Sequence, residues 1–193
     1  IVSDTNACDT AISITIGEPA ALSSVITTAD VGCFGDSTGS ASATPSGGIS
    51  PYTYLWSTGG TSSTENNLPV GNYSAIITDA NGCDTTMNFT ITQPVLLTAG
   101  IAGINVRCNG VNNGEATVTA SGGTIPYNYV WSTVPFQFTA TVDSLAPGTY
   151  CAIVTDNNLC DTTACVTITQ PPLLTAIITS KTDVICNGGN NGS

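Results

Sequence analysis

The chain has 193 residues with two Lys/Arg, thirteen Asp/Glu and no histidine, so its formal net charge is −11. Two cations cannot neutralise a run of phosphates, which argues against nucleic acid and against docking to anionic lipid. Without histidine there is no Ser-His-Asp or Cys-His nucleophile and no imidazole metal ligand. With 41% apolar residues a packed core is feasible all the same, and the length allows one large domain or two small ones. No apolar run reaches the roughly 18 residues that span a bilayer. No basic segment followed by an apolar stretch opens the chain, so Ile1 is not read as the start of a signal peptide.

The eight cysteines, an even number, stand at 8, 33, 83, 108, 151, 160, 165 and 186. No CxxC occurs among them, and a zinc site without histidine partners is not expected. An even set in so acidic a chain reads as disulfides, hence an oxidising, extracellular setting.

Self-comparison shows a repeat. Cys33 and Cys108 are 75 residues apart, Cys108 and Cys186 are 78, Cys8 and Cys83 are 75, and Cys83 and Cys160 are 77. The intervening text recurs as well. Gly47-Gly48-Ile49-Ser50-Pro51-Tyr52-Thr53-Tyr54-Leu55-Trp56 returns as Gly122-Gly123-Thr124-Ile125-Pro126-Tyr127-Asn128-Tyr129-Val130-Trp131. Leu68 to Tyr73 returns as Leu145 to Tyr150, and Asp79 to Thr86 as Asp156 to Thr163 and more loosely as Asp4 to Ala11. The expected organisation is residues 1–33 as the end of one repeat, 34–108 and 109–186 as two whole ones, and 187–193 as the start of another. An alternative phase cuts the repeats at 21–95 and 96–172.

Each repeat reads as short alternating strands bounded by Gly, Pro, Asn and Asp. In the second repeat they fall at Glu115–Ala120, Tyr127–Trp131, Phe138–Leu145, Thr149–Thr155, Ala164–Thr169 and Leu173–Ile178. No window has helical spacing over three turns. The expectation is an all-β chain of tandem immunoglobulin-like β-sandwiches, about 75–78 residues each, stapled by disulfides. Leu-x-x-Gly-x-Tyr at Tyr73 and Tyr150 resembles a tyrosine corner, and the Trp on the second strand reads as core.

Cys151 and Cys165 flank the turn 156–160 symmetrically, so a hairpin sets them face to face. Ala75 occupies nearly the Cys151 position of the first repeat, where no partner cysteine exists. For the other six, the set Cys8–Cys33, Cys83–Cys108 and Cys160–Cys186 straddles the prolines of Glu18-Pro19, Gln93-Pro94 and Gln170-Pro171-Pro172. It requires the strands beside each proline to form a hairpin. Two rivals stay open: Cys33 with Cys83 and Cys108 with Cys160 inside a repeat, or bridges between neighbouring domains such as Cys33 to Cys160.

Carboxylates are the only groups that could do chemistry. Asp79 and Asp84, and Asp156 and Asp161, put oxygens on one turn as calcium prefers, yet Asp and Asn equally stabilise turns through their own backbone. The turn reading is preferred, and no metal, cofactor or catalytic residue is expected. Asp-Ser/Thr followed by Ala, Thr or Leu recurs at Thr10, Ser37, Thr85, Ser144 and Thr162, and Asn-x-Ser/Thr occurs at Asn72, Asn88 and Asn191.

The ordered string Cys-x-Gly, Gly-Gly-x-x-Pro-Tyr-x-Tyr-x-Trp, Leu-x-x-Gly-x-Tyr, Thr-Asp-x-x-x-Cys and a strand ending in Gln-Pro resembles the repeat of the SprB gliding-motility adhesins of Bacteroidota. The extra pair Cys151/Cys165 and the irregular 134–137 insertion depart from it. The resemblance implies a stalk segment of a very large surface adhesin, secreted by the type 9 system and serving gliding or attachment. Its partners would be neighbouring repeats of the same chain, with surface polysaccharide or the secretion and motility machinery reached through the parent protein. It further implies O-glycans at Thr10, Ser37, Thr85, Ser144 and Thr162. A carbohydrate-binding repeat, with Phe136 and Phe138 as the exposed aromatics, and a calcium-rigidified linker are the alternatives.

Overall fold

The structure, a computed structural model, describes residues 1–3, 5–185 and 187–190. Asp4, Cys186 and Asn191 therefore lie outside the described residues. The chain divides into two compact units, 1–95 and 96–193. All regular structure among the described residues is β.

In the first unit a two-residue ladder, β1 (Val2–Ser3) with β2 (Asp9–Thr10), precedes six strands. These are β3 (Ser23–Ala29), β4 (Gly39–Ser46), β5 (Thr53–Trp56), β6 (Thr64–Leu68), β7 (Gly71–Thr78) and β8 (Asp84–Ile91). They make two antiparallel sheets in the orders β3-β4-β6 and β5-β7-β8. The second unit repeats the plan with β9 (Thr98–Ile104), β10 (Gly114–Ser121), β11 (Asn128–Trp131), β12 (Thr141–Leu145), β13 (Gly148–Thr155) and β14 (Asp161–Ile168), ordered β9-β10-β12 and β11-β13-β14. In immunoglobulin lettering the orders are A-B-E and C-F-G, so each unit is an immunoglobulin-like sandwich.

Alternation along the strands builds the cores. Ala41, Ala43, Ala75, Ile77 and Ile91 turn inward around Trp56 and Leu68 in the first unit. Ala116, Val118, Ala152, Val154 and Ile168 do so around Trp131, Val142 and Leu145 in the second. Both indoles are buried and still donate Nε1–H, from Trp56 to the Ser62 carbonyl at 2.7 Å and from Trp131 to the Thr139 carbonyl at 2.8 Å. A buried indole needs such an acceptor. Both tyrosine corners form: Tyr73 Oη donates to the Pro69 carbonyl (2.9 Å) and Tyr150 Oη to the Ala146 carbonyl (3.0 Å).

The two cores differ beside the tyrosine corner. Phe89 lies edge-on to Trp56 and stacks on Tyr73, both at 5.7 Å between ring centroids. Its counterpart opposite Tyr150 is the smaller Val166. One residue away on the outer side of that hairpin, the second unit joins Cys151 to Cys165 (S–S 2.06 Å), directly opposite in the β13–β14 register. The matching pair in the first unit is Ser74 and Asn88, so Ser74, not Ala75, holds the Cys151 position.

Three sequence expectations differ from the observed strand pairing. The expected strand Leu173–Ile178 does not form. Its counterparts β3 and β9 each open a unit by pairing with the strand that follows, and 173–178 finds no such partner among the described residues. For the same reason the cuts after residues 33 and 108 sever β3 and β9 from the sheets they belong to. The hairpin assumed around Gln93-Pro94 is also absent, because β8 pairs with β7 and β9 with β10.

Trp131→Ala removes the largest fully buried side chain of the second unit. Such truncations cost about 3–5 kcal/mol. Chemical denaturation followed by the near-ultraviolet signal should show that loss, and a change below about 1 kcal/mol would contradict the placement of Trp131 at the core centre.

Candidate functional site

The repeated residues Gly-Gly, Pro-Tyr and Asp meet at one pole of each sandwich. Asp79 follows β7 and begins the turn to β8, and it is 5% exposed; Asp156 is fully buried in the same place after β13. Asp79 Oδ1 accepts the N–H groups of Asn81 and Cys83, both at 2.9 Å, and Oδ2 accepts that of Ile49 at 2.9 Å. Asp156 accepts from Asn158 and Cys160 at 2.9 Å and from Thr124 at 2.8 Å. One carboxylate thus closes its own hairpin turn and ties that turn to the loop between the second and third strands.

The glycines in that loop have a steric reason. Gly48 and Gly123 both have φ of +59°, and a Cβ there would stand 2.7 Å from Asp79 Oδ2 and 2.6 Å from Asp156 Oδ2. Only glycine accepts both the left-handed backbone and the close carboxylate. The tyrosine after the proline completes the loop, since Tyr52 Oη donates to the Gly47 carbonyl and Tyr127 Oη to the Gly122 carbonyl, each at 2.6 Å.

The incoming chain reaches this same pole. Gly48 N–H donates to the Ala20 carbonyl at 2.7 Å, and Leu97 is buried against Gly123. At the opposite pole the chain leaves. Gln93 Oε1 accepts the N–H of Gly35 and Gln170 Oε1 that of Gly110, both at 2.9 Å. Val31 N–H donates to the Thr92 carbonyl and Val106 N–H to the Thr169 carbonyl, while Asp30 and Asn105 accept the N–H of Thr92 and Thr169. The Gln-Pro ending of each repeat is therefore a clamp on the turn that holds Cys33 or Cys108.

The four carboxylates weighed for calcium are divided by this geometry. Asp79 and Asp156 point their oxygens at backbone N–H groups, whereas Asp84 and Asp161 are exposed at the first positions of β8 and β14. Among the described residues no three His, Cys, Asp or Glu side chains gather as a metal-binding group. The N–H of Ile49, aided by those of Cys83 and Asn81 and opposed by burial, holds the Asp79 carboxyl below its ordinary value of 3.8.

Of the hydroxyls in Asp-Ser/Thr triplets, Thr10, Ser37 and Ser144 are exposed. Ser144 has φ of +58° and its hydroxyl donates to Asp143 at 3.0 Å. Thr85 and Thr162 are half-buried, on the strand side that also carries Ile91 and Ile168. Asn72 pairs with Thr90 across the hairpin through Oδ1 at 2.7 Å. Phe136 and Phe138 are exposed, and Phe136 borders an apolar groove of about 270 Å³ lined by Val130, Ile153 and Cys151.

The cysteines fall at the poles. Cys83 and Cys160 end the Asp turns at the incoming pole, Cys33 and Cys108 lie in the turns at the outgoing pole. Cys33 and Cys160 are oxidised in disulfides, whereas Cys83 and Cys108 are exposed thiols, so the expected Cys83–Cys108 bridge is not formed. Cys8 is exposed.

Comparison with known proteins bears on this repeat. The SprB repeat profile matches residues 25–61 and 104–136, which run from the first strand of each unit through the Gly-Gly loop. Two segments of the chain thus match the SprB repeat. No curated protein is significantly similar in sequence. Among solved structures, an amphioxus IgVJ-C2 molecule is 16% identical over 64% of this chain and 91% of its own, with a TM-score of 0.34. A structure described as the basis for Dscam isoform specificity is 12% identical over 78% of this chain and 47% of its own (TM-score 0.35). A tetra-tandem repeat in the extending region of a large adhesion protein is 12% identical over 76% of this chain and 50% of its own (TM-score 0.26). Both matched segments contain the Gly-Gly-x-x-Pro-Tyr string, whose residues build the pole that Asp79 and Asp156 lock.

Asp156→Ala leaves three backbone N–H groups without their acceptor in a buried turn, and should destabilise the second unit by about 1–3 kcal/mol. A denaturation midpoint within error of the parent would overturn that role. Asp79 gives a pH signature. Its carboxyl is depressed in the fold, so its contribution is complete above the ordinary value and is lost as pH falls through the lower folded value. Stability should therefore decline in acid, and Asp79→Asn should flatten part of that decline; an unchanged pH profile in the variant would count against it.

Proposed function

We propose that this chain is a stalk segment of a long extracellular adhesin filament, with no enzymatic role of its own. The observation that carries the reading is the path of the chain. In each unit it comes in at the Asp/Gly-Gly pole and goes out at the Gln-Pro pole, so tension along the chain runs along the strands. Neighbouring SprB-type repeats of the same chain are the immediate partners. Surface polysaccharide or the secretion and motility machinery is reached through the rest of the parent protein, at the cell surface, in gliding or attachment. The Cys151–Cys165 disulfide suits an oxidising compartment. O-glycans on Thr10, Ser37 and Ser144, which are exposed, fit that setting better than on half-buried Thr85 and Thr162.

A second reading, a carbohydrate-binding module, is favoured by one observation: Phe136 and Phe138 are both about two-thirds exposed, and Phe136 lines an apolar groove. Stacking of a sugar on these rings would be abolished by their joint replacement with alanine.

Small-angle scattering separates a stalk from a compact assembly. Chains of two, four and six such repeats should give a maximum dimension that grows in proportion to repeat number. A dimension that grows only as the cube root of mass would sink the stalk reading.

A further inference from the structure

The two units part company after the strand that carries the tryptophan. In the first, Ser57-Thr58 follows β5, and the Thr58 hydroxyl donates to Glu65 of β6 at 2.7 Å. In the second, Ser132-Thr133 follows β11, but Val142 holds the position of Glu65: Glu65 faces Ala41 across the sheet, and Val142 faces the matching Ala116. A valine side chain accepts nothing. Thr133 is 6% exposed, and its Oγ1 is buried without a hydrogen-bond partner. A buried hydroxyl left in that state is costly, so its presence needs a reason.

Thr133 lines a cavity of about 350 Å³ that lies wholly within the second unit, between the turn after β9, the 134–137 segment and the β12–β13 corner. Asn112, Gln137 and Asp143 line it as well, with the rings of Pro135 and Tyr150. The Ser144 hydroxyl donates to Asp143 Oδ1 at 3.0 Å and leaves Oδ2 to accept another bond. Ser144 holds φ at +58°, as Asn67 does in the first unit, although serine accepts that backbone less readily than asparagine. Strain of this kind gathers where side chains are held for a ligand.

We propose that this cavity is a binding site for a neutral saccharide. The lining offers two amides, a carboxylate and an unpartnered hydroxyl, and sugar hydroxyls both donate and accept, so each group finds a match. Pro135 and Tyr150 supply the apolar surface that the C–H face of a pyranose covers. No Lys or Arg lines the cavity, and Asp143 repels an anion. Calcium takes about six to eight oxygens and binds more tightly as carboxylates are added, whereas a single carboxylate stands here. The volume falls within the range of about 300–1,000 Å³ usual for small-molecule sites.

This site goes beyond the stalk reading and does not rest on it, because sugar binding is read whatever the shape of the filament. It is also separate from the groove that Phe136 borders, which is lined by Val130, Ile153 and Cys151.

The test applies the 193-residue chain to immobilised neutral hexose and N-acetylhexosamine oligosaccharides, with uronate oligosaccharides and calcium chloride alone for comparison. Saturable capture of a neutral oligosaccharide is expected, weakened about tenfold by Asp143→Asn and about threefold by Gln137→Ala. Thr133→Val keeps the shape and removes the hydroxyl. It should hold or raise the denaturation midpoint while weakening capture, a split that a purely structural hydroxyl would not give. Capture of no neutral sugar, capture of uronates alone, or undiminished affinity in Asp143→Asn or Thr133→Val would overturn the proposal. So would a calcium-dependent rise in midpoint that Asp143→Asn abolishes with no sugar bound. Loss of capture on joint replacement of Phe136 and Phe138 by alanine, with Asp143→Asn unaffected, would place the sugar at the aromatic groove and overturn this site.

Discussion

A buried carboxylate with no cationic partner organises each repeat. With only two Lys/Arg in the whole chain, Asp79 and Asp156 cannot be neutralised by ion pairs, and backbone N–H groups take that part. At Asp79 these donors favour the ionised form, and in both units the carboxylate fixes the position of the segments that carry the donors. The donors come from two separate stretches: the turn between the last two strands, and the loop after the second strand. One residue therefore joins the two sheets at the pole where the chain comes in. The Gly-Gly pair is its steric counterpart, and Tyr52 or Tyr127 closes the loop from behind. The cysteine at the end of the turn inherits its placement from the same carboxylate, which accepts its N–H.

The opposite pole has no charge to bury and is held differently. A glutamine side chain and a short backbone bridge clamp the end of the last strand to the turn after the first. The two poles are thus built differently: the carboxylate at the first is buried, whereas at the second the carboxylate of Asp30, which accepts the Thr92 N–H, is exposed, and its counterpart in the second unit is the amide of Asn105. Between them the two cores follow one plan with different side chains, Val118 standing where the first unit has Ala43 and Val154 where it has Ile77. The first unit fills the space beside Tyr73 with Phe89, while the second has the smaller Val166 there and a disulfide across the adjacent pair of the same hairpin.

Much of the strand pattern was legible because alternation and turn residues are local signals. The repeat made it firmer, since Tyr73 and Tyr150 or Trp56 and Trp131 could be checked against each other. The phase of the repeat was not legible from the cysteines, for a physical reason. A strand that opens a unit looks in sequence like one that closes the unit before it; only pairing distinguishes them, and pairing of β9 with β10 rather than β8 is non-local. The hairpin assumed around Gln93-Pro94 and the bridge Cys83–Cys108 fell with that phase. The role of Asp79 was half visible: its bonds to the turn that follows are local, but the contact with Ile49, thirty residues away, had no local signature.

The exposed apolar side chains near both ends follow from the same non-local dependence. Ile12, Ile14 and Ile16 alternate as a last strand would, and Leu174, Ile177 and Ile178 stand where β3 and β9 have their strands, yet all are more than four-fifths exposed. Propensity and alternation are present in these stretches, and the sheet is not, because among the described residues neither stretch pairs as its counterparts do. A strand of this repeat is therefore a property of the sheet that receives it more than of its own residues. That makes the position of the cut between repeats a structural quantity: a piece that begins at the incoming segment and ends after Gln-Pro carries all six strands and both clamps, whereas a piece cut at the cysteines loses its first strand and with it the partner of the longest inward-facing strand in that sheet.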